Sequence, residues 1–432
     1  MNKQVKRVIV VGGGFAGFNF LKSVANDSRF EVTLIDKNNY HYFPPLLYQV
    51  GMAFIELSNI TYPFRRYFQK RTNLRFHLGT VTAIDPKINA VYTESNVLYY
   101  DYLIIAFGTE TNYFGLESVQ KNSLALKTIN DALKLRNHLL CNVEKAIHCK
   151  DENEKKRLLN VVIAGGGPTG VEVAGMLAEM IKKIGRKEYP ELPTGSFRIY
   201  LIQSGPVLLN NMSKVAQEES LQVLQGLGVQ VLLNTRVTGF DEGRVLLNNG
   251  DAIPTHALLW TTGVIGRELT GLPPGSFGHG RRILVDEYCR VKGTENIFAI
   301  GDISLNLSDS RYPAGHPQLA QVAIQQGKLL AENLKRGDLR QWKTFQYKDK
   351  GTMAIISKYN AVADLPRLSL KGFSAWFLWL FIHLLPIAGF RNKFDLLSNW
   401  AWSFLTNNPT LRVIIQKDNR KESMAQKMTA TK

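Results

Sequence analysis

Two glycine-rich turns, each set between a strand and a helix, constrain this chain more than anything else in it. Residues 6–17 read KRVIVVGGGFAG, a β-branched run followed by Gly12-Gly13-Gly14-Phe15-Ala16-Gly17. A second apolar run, from Glu31 to Ile35, ends at Asp36. Strand, tight turn, helix, strand and acid in that order and spacing predict a dinucleotide-binding βαβ unit. Gly12 permits the turn, Gly14 lets the backbone approach a pyrophosphate, and Gly17 lets the helix pack on the strand. The helix N-terminus offers free N–H groups and a positive dipole end to the phosphates. Asp36 can accept both hydroxyls of a ribose.

The device recurs about 150 residues on. Residues 160–170 read NVVIAGGGPTG, followed by a helical stretch over 171–184 and a strand, Phe197–Ile202, that ends at Gln203 instead of an acid. A third buried strand, Asn296–Ile300, ends in Gly301-Asp302. A helix is expected to follow from near Pro317, since proline is a normal first helical residue. Two more strand ends, Ala106-Phe107-Gly108 and Leu258–Gly263, look ligand-facing and mark places for the chain to cross between lobes. The charged run 151–157 reads as a solvated connector. The expected fold is α/β: two Rossmann-like dinucleotide-binding domains plus a C-terminal membrane-associating helical segment. The first domain takes residues 1–115 and 280–340, the second 116–279, and the C-terminal region 341–432.

Composition narrows the function. Over 432 residues, 45% are hydrophobic and 21% charged, which excludes a disordered, collagenous or coiled-coil chain. Three cysteines (Cys141, Cys149, Cys289) make neither a disulfide framework nor a four-thiolate metal site, no CxxC occurs, and no metal site is expected. The first apolar run leads directly into the glycines, which argues for no leader peptide and a cytosolic start. A net charge of +17 implies an anionic surface as partner. Arg65, Arg66, Lys70 and Arg71 make no nucleic-acid motif, so nucleic acid is not that partner. Residues 372–390, GFSAWFLWLFIHLLPIAGF, carry no formal charge, and Trp376, Trp379, Trp400 and Trp402 cluster here. In the next segment Leu397, Trp400, Ala401, Phe404 and Leu405 share one helical face. From Pro366 to Lys432 ten Lys/Arg stand against three Asp/Glu. Aromatic apolar helices with basic flanks favour lying on an anionic leaflet over spanning it. A buried homodimer interface is the competing use of the same residues.

These motifs together resemble the glutathione-reductase-like flavoproteins and, within them, the type II NADH:quinone oxidoreductases. The resemblance is carried by HYFPPLLYQVG at 41–51, GGGPTGVEVAGMLAE at 165–179 and AQVAIQQ at 320–326. KDKGTMAIISKYNAVADL at 348–365 and FLWLFIHLLPIAGFRNKFDLLSNWAWSFLT at 377–406 carry it further, and in all it spans residues 6 to about 415. It implies one non-covalent FAD on the first turn, NADH or NADPH as substrate on the second, and a membrane quinone as acceptor. It also implies peripheral, monotopic attachment to the cytoplasmic face of the inner membrane, with no proton pumping. The expected flavin-side residues are Gly12, Gly13, Gly14, Phe15, Ala16, Gly17, Asp36, Lys37, Val81, Ala106, Gly108, Gly301, Asp302 and Ala320. The expected nicotinamide-side residues are Gly165, Gly167, Pro168, Thr169, Gly170, Gln203 and Gly263. Two departures from the family pattern matter: Phe107 interrupts the usual Ala-Thr-Gly, and Gln203 replaces an acid, which opens the choice between NADH and NADPH.

For the chemistry, Asp302 is expected on the ribityl chain, Gln321 and Gln325 on the quinone, and Glu172 beside the nicotinamide–flavin–quinone region as a proton relay or positioner. The first 140 residues hold no cysteine, which argues against a disulfide reductase and against sulfide:quinone chemistry. The rival readings are a reductase of the same fold with another acceptor, sulfide:quinone or ferredoxin-type, and a non-catalytic dinucleotide-sensing membrane adaptor.

Overall fold

The computed structural model describes residues 5–193, 195–406 and 412–414. Its frame is one motif used twice. The first parallel sheet runs, edge to edge, Ile297–Ala299, Tyr102–Ile105, Lys6–Val11, Phe30–Asp36, Leu74–Leu78. The second, also parallel, runs Leu124–Ala125, Ala257–Trp260, Asn160–Ala164, Arg198–Ile202, Gln230–Leu232. Each has an antiparallel three-stranded meander between its outer and inner strands, within 81–99 in one lobe and 237–254 in the other. The core strands carry no alternation: Asn160–Ala164 is buried at every residue, as a parallel strand covered on both faces must be. The lobes are joined by a two-stranded ribbon in which Thr109–Thr111 pairs antiparallel with Val264–Gly266, just beyond the two ligand-facing strand ends.

Several expectations change. The second-turn helix runs Pro168–Glu188, longer than 171–184. The helix after Asp302 starts at Ala320, not near Pro317. The charged run 151–157 is no bare connector but most of a helix, Glu152–Leu159. Asp151 caps it by accepting from Asn153 N, and Glu154 pairs with Arg157 and with His256, 2.8 Å away.

The C-terminal region adds a three-stranded antiparallel sheet (Thr352–Ser357, Asn360–Leu365, Leu368–Lys371) and two helices, Gly372–Leu384 and Phe390–Thr406. The sheet lies against the second-turn helix, and a Cβ on Gly175 would collide with the carbonyl of Ile356. The uncharged stretch 372–390 does not make one helix. It stops at Leu384, and a turn through Pro386 and Gly389 (φ +86°) separates the two helices. Thirteen residues reach about 20 Å, short of the roughly 30 Å hydrocarbon core. Among the described residues no helix is long and apolar enough to cross a membrane.

The tryptophans are also redistributed. Trp376, Trp379 and Trp400 are buried in the core, and only Trp402 of the four is exposed. The expected face of the last helix splits: Leu397 points outward and Trp400 inward, with Leu396 and Ser403 beside it in the interior. The side chains of Phe404 and Leu405 lie outside the described residues, as does the stretch 415–432. The outward belt is made instead by Phe373, Phe377, Phe381, Phe390 and Phe394, each more than half exposed.

Candidate functional site

The two glycine turns superpose residue for residue in their bonding. Gly12 (φ +100°) donates to Ile35 O and Gly165 (φ +112°) to Ile202 O, each fixing its turn to the neighbouring strand. A Cβ on Gly17 would strike Gly12 O, and one on Gly170 would strike Gly165 O, so helix and turn are in contact there. Gly14 and Gly167 have nothing within 4 Å of the place a Cβ would take. The turn glycines are closed where packing needs them and open where a phosphate would lie, which is the cradle a dinucleotide needs. Asp36 Oδ2 accepts from Gly13 N at 2.7 Å and Oδ1 from Asn38 N at 2.8 Å; Gln203 Oε1 accepts from Gly166 N at 2.9 Å. Gln203 thus does the same structural work as Asp36 without the charge. Burial holds the Asp36 carboxyl above its ordinary value, partly offset by these two N–H donors.

A cavity of about 540 Å³ runs along the first turn. Its walls include Gly12, Gly14, Phe15, Ala16, Asp36, Lys37, Val81, Ala106, Gly108, Gly301 and Asp302, so eleven of the fourteen expected flavin-side residues meet at one surface. Gly13 lies behind it under the Phe64 ring, Gly17 packs the helix, and Ala320 is displaced by Ala323, one turn on. The cavity also holds residues the sequence reading missed. Lys127 sits opposite Asp302 and donates to Thr109 Oγ1 at 3.1 Å. Burial lowers its ammonium below the ordinary lysine value and raises the Asp302 carboxyl, each countered by the charge of the other. A signal for Lys127 existed: Thr128 and Asp131 form a capping box, which fixes a helix start at the cavity wall. No cysteine lines the cavity. Cys141 and Cys149 lie toward the other end of that helix, Ile129–His148, away from the cavity, and burial pushes the Cys289 thiol far up, which disfavours the reactive thiolate. On the nicotinamide side, Pro168 and Thr169 open the helix, while Gly263 (φ +71°) lies under the Phe114 ring beside the inter-lobe ribbon.

Glu172 is buried one turn into the second helix and accepts the Ile355 N–H of the C-terminal sheet; burial holds its carboxyl well above the carboxylate range. Burial, more than the Glu172 carboxyl, pushes the Tyr48 hydroxyl well up; Gln49 Nε2 donates to Tyr48 Oη at 3.2 Å, and Trp400 Nε1 donates to Gln49 Oε1 at 2.9 Å. A buried hydrogen-bonded line therefore joins the last helix to Tyr48, within electrostatic reach of Glu172, through two residues inside the segment 41–51 that had not been singled out.

The two glutamines part company. Gln321 donates to Gly351 O at 2.9 Å, while its Oε1 is buried without a partner. Gln325 is corrected. Its amide donates to Lys348 O at 2.9 Å and accepts from Lys348 N at 3.0 Å, so both ends clamp the backbone of the C-terminal segment at an exposed position. Spacing put both residues on one helical face, and that face meets the backbone of the irregular segment 348–351, just ahead of the strand Thr352–Ser357.

A family model described as pyridine nucleotide-disulphide oxidoreductase matches residues 6–327, and one described as the NDH2 C-terminal domain matches 350–407. The chain is 32% identical to the type II NADH:quinone oxidoreductase Ndh of Mycobacterium tuberculosis, over 93% of this chain and 88% of that protein. It is 30% identical to an internal alternative NAD(P)H-ubiquinone oxidoreductase of Arabidopsis thaliana mitochondria, over 94% and 86%. Among solved structures, NDH2 from Plasmodium falciparum in complex with NADH superposes with a TM-score of 0.87 at 24% identity, covering 96% of this chain and all of that one. The sulfide:quinone oxidoreductase of Aquifex aeolicus superposes at 0.72 with 18% identity and shares the fold. With its paired nucleotide turns, its thiol-free cavity and its matched C-terminal region, the chain belongs to the type II NADH:quinone oxidoreductases.

Proposed function

We propose that the protein passes two electrons from NADH to a quinone drawn from the membrane on which it lies, without moving protons across it. NADH:quinone oxidoreduction by an FAD-dependent enzyme is the activity of the family. FAD, when bound, supplies the hydride acceptor for NADH and the electron donor for the quinone. The chain's own residues bind and orient. The first turn and Asp36 suit the adenosine half of FAD, and Asp302 its ribityl chain. Lys127 puts a cation into the same cavity, where negative charge develops on reduction. Glu172, whose carboxyl burial biases toward the neutral form, is the group we assign to give a proton to the reduced acceptor and take one back from water, or to position the nicotinamide. Gln321 Oε1 is an unfilled acceptor suited to a quinol hydroxyl. A domain division at about residues 115, 280 and 340 is supported by the first sheet taking its edge strand from Ile297–Ala299.

One observation carries the choice of acceptor. The helices that expose five phenylalanines bury Trp376, Trp379 and Trp400 on their other faces, in the same core cluster as the glycine-turn helix that bears Glu172. An apolar outer face coupled to the site suits an acceptor dissolved in lipid and attachment at a membrane surface. The test is the visible spectrum of the purified protein: NADH should bleach the flavin bands and a short-chain quinone analogue restore them. Bleaching reversed by a ferredoxin-type protein but not by quinone would sink the reading, and failure to bleach would leave a non-catalytic adaptor.

A further inference from the structure

A second cavity, of about 420 Å³, opens between the first glycine-turn helix and the turn joining the two C-terminal helices. Four cations line it from separate places in the chain: Lys22, Arg66, Arg71 and Lys393. No Asp or Glu does, and nearby Asp395 is tied to Arg391, 3.5 Å away. Three of the cations are held in position by aromatic rings. Lys22 Nζ stands 4.6 Å from the Phe18 ring, Arg66 lies 5.7 Å from Tyr62, and Arg71 lies 3.8 Å from Tyr67 while donating to Tyr67 O. Lys393 donates to Leu385 O at 2.7 Å. Burial, and then the charges of Lys328, Lys393 and Arg71, hold the Lys22 ammonium below its ordinary value. Like charges gathered in a concave site repel unless an anion joins them.

The rim decides which anion. Leu385, Pro386 and Phe390 border the cavity and are exposed, and Phe381 and Phe394 continue the apolar surface on either helix. A soluble anion has no use for such a border. A phospholipid does: its phosphate belongs at the level of cationic side chains, and its acyl chains a few ångströms deeper, against an apolar face.

We propose that this cavity is a binding site for the phosphate headgroup of an anionic phospholipid, which pins the first nucleotide-binding lobe to the leaflet beside the phenylalanine belt. The proposal rests on the membrane attachment proposed above. The phosphate bridges the first glycine-turn helix, the Phe64–Arg71 segment and the last helix. Lipid binding therefore ties the flavin-side lobe to the helices that touch the membrane.

The test uses the full chain with its flavin, in flotation with vesicles of phosphatidylcholine alone and of phosphatidylcholine with phosphatidylglycerol. Wild type should bind both, the second more tightly. Arg71→Gln with Lys393→Gln should weaken binding to phosphatidylglycerol vesicles about tenfold or more and leave binding to phosphatidylcholine, which reads the phenylalanine belt alone, unchanged. Lys87→Gln, a charge removed from the first meander and lining no part of the cavity, should change neither. An equal loss for Lys87→Gln and the single Arg71→Gln would mean diffuse attraction and overturn the site. So would saturation of the cavity by inorganic phosphate that leaves vesicle binding untouched, which would mark a soluble-anion site. A change in oligomeric state in the paired variant without a change in flotation would make this face an interface between copies and overturn it too. Failure of wild type to bind phosphatidylcholine would count against the membrane reading instead.

Discussion

Gln203 and Asp36 close equivalent turns through side-chain oxygens, yet only one brings a charge. Because Gln203 Oε1 accepts from Gly166 N, the amide nitrogen is turned outward, 3.2 Å from where a Cβ on Gly205 would stand. A strand-end carboxylate at this place binds a ribose diol and repels a 2′-phosphate. An amide N–H₂ can meet either. We therefore expect NADPH to serve as donor alongside NADH. Gln203→Glu should keep the Gly166 bond, spare NADH, and cut kcat/KM for NADPH at least tenfold, about 1.4 kcal/mol. Two charges about 4 Å apart at an effective dielectric of 20 repel by roughly 4 kcal/mol, so tenfold is a lower bound. Equal exclusion of NADPH by wild type and variant would assign selectivity to another residue.

Among the elements, the contact between the second-turn helix and the C-terminal sheet is the one on which the acceptor side depends. Gly175 permits it, and three residues earlier Glu172 takes the Ile355 N–H across it. Gly175→Ala should force helix and sheet apart, at about 1–3 kcal/mol for an overpacked site. The checks are a melting temperature lower by several degrees and quinone reduction that falls further than NADH-driven reduction of a water-soluble acceptor. An unchanged melting temperature would refute the close approach. This contact was not legible in the sequence, whereas the turns were, and the difference is physical. A turn is written in its own residues: Gly12 and Gly165 need positive φ, and the open positions of Gly14 and Gly167 follow from spacing. The helix Gly372–Leu384 is apolar on all sides, so periodicity could not tell Trp376 and Trp379, which go inward, from Phe373 and Phe377, which do not. Partners far along the chain decide that, as they decide that Gln325 clamps Lys348. Tyr48 and Gln49 lay within a recognised segment, but their roles needed Trp400, 351 residues away.

At the scale of the molecule, two buried histidines tie stability to pH on the two sides of the contact between the flavin-side lobe and the C-terminal helices. His41 lies flat on Phe18 with ring centroids 4.3 Å apart, its Nδ1 2.9 Å from Gly13 O, behind the first nucleotide turn. His383 stacks on Trp379 at 4.0 Å, its Nδ1 2.8 Å from Trp379 O, under the phenylalanine belt. Burial lowers both from 6.5 to about 4. Below about pH 6.5 the unfolded chain binds a proton at each, and the native chain does not until near pH 4. Their stabilisation is therefore complete above 6.5 and is lost as pH falls through this window. Buried Glu172 works in the other direction: its raised pKa favours the neutral carboxyl, a contribution complete at low pH and lost as pH rises above the ordinary carboxylate range. A non-titrating replacement isolates the histidine share. From pH 7 to 5, His383→Gln should lose about 2 kcal/mol less unfolding free energy than wild type, whatever its absolute stability at pH 7. Denaturant midpoints of the full chain in detergent at the two pH values measure the difference. If the two proteins lose stability in parallel, His383 is not the acid-sensitive group. If they diverge, mild acid should loosen the membrane-facing helices together with the flavin-side lobe, because Phe43 stands between His383 and Phe15 at the cavity wall.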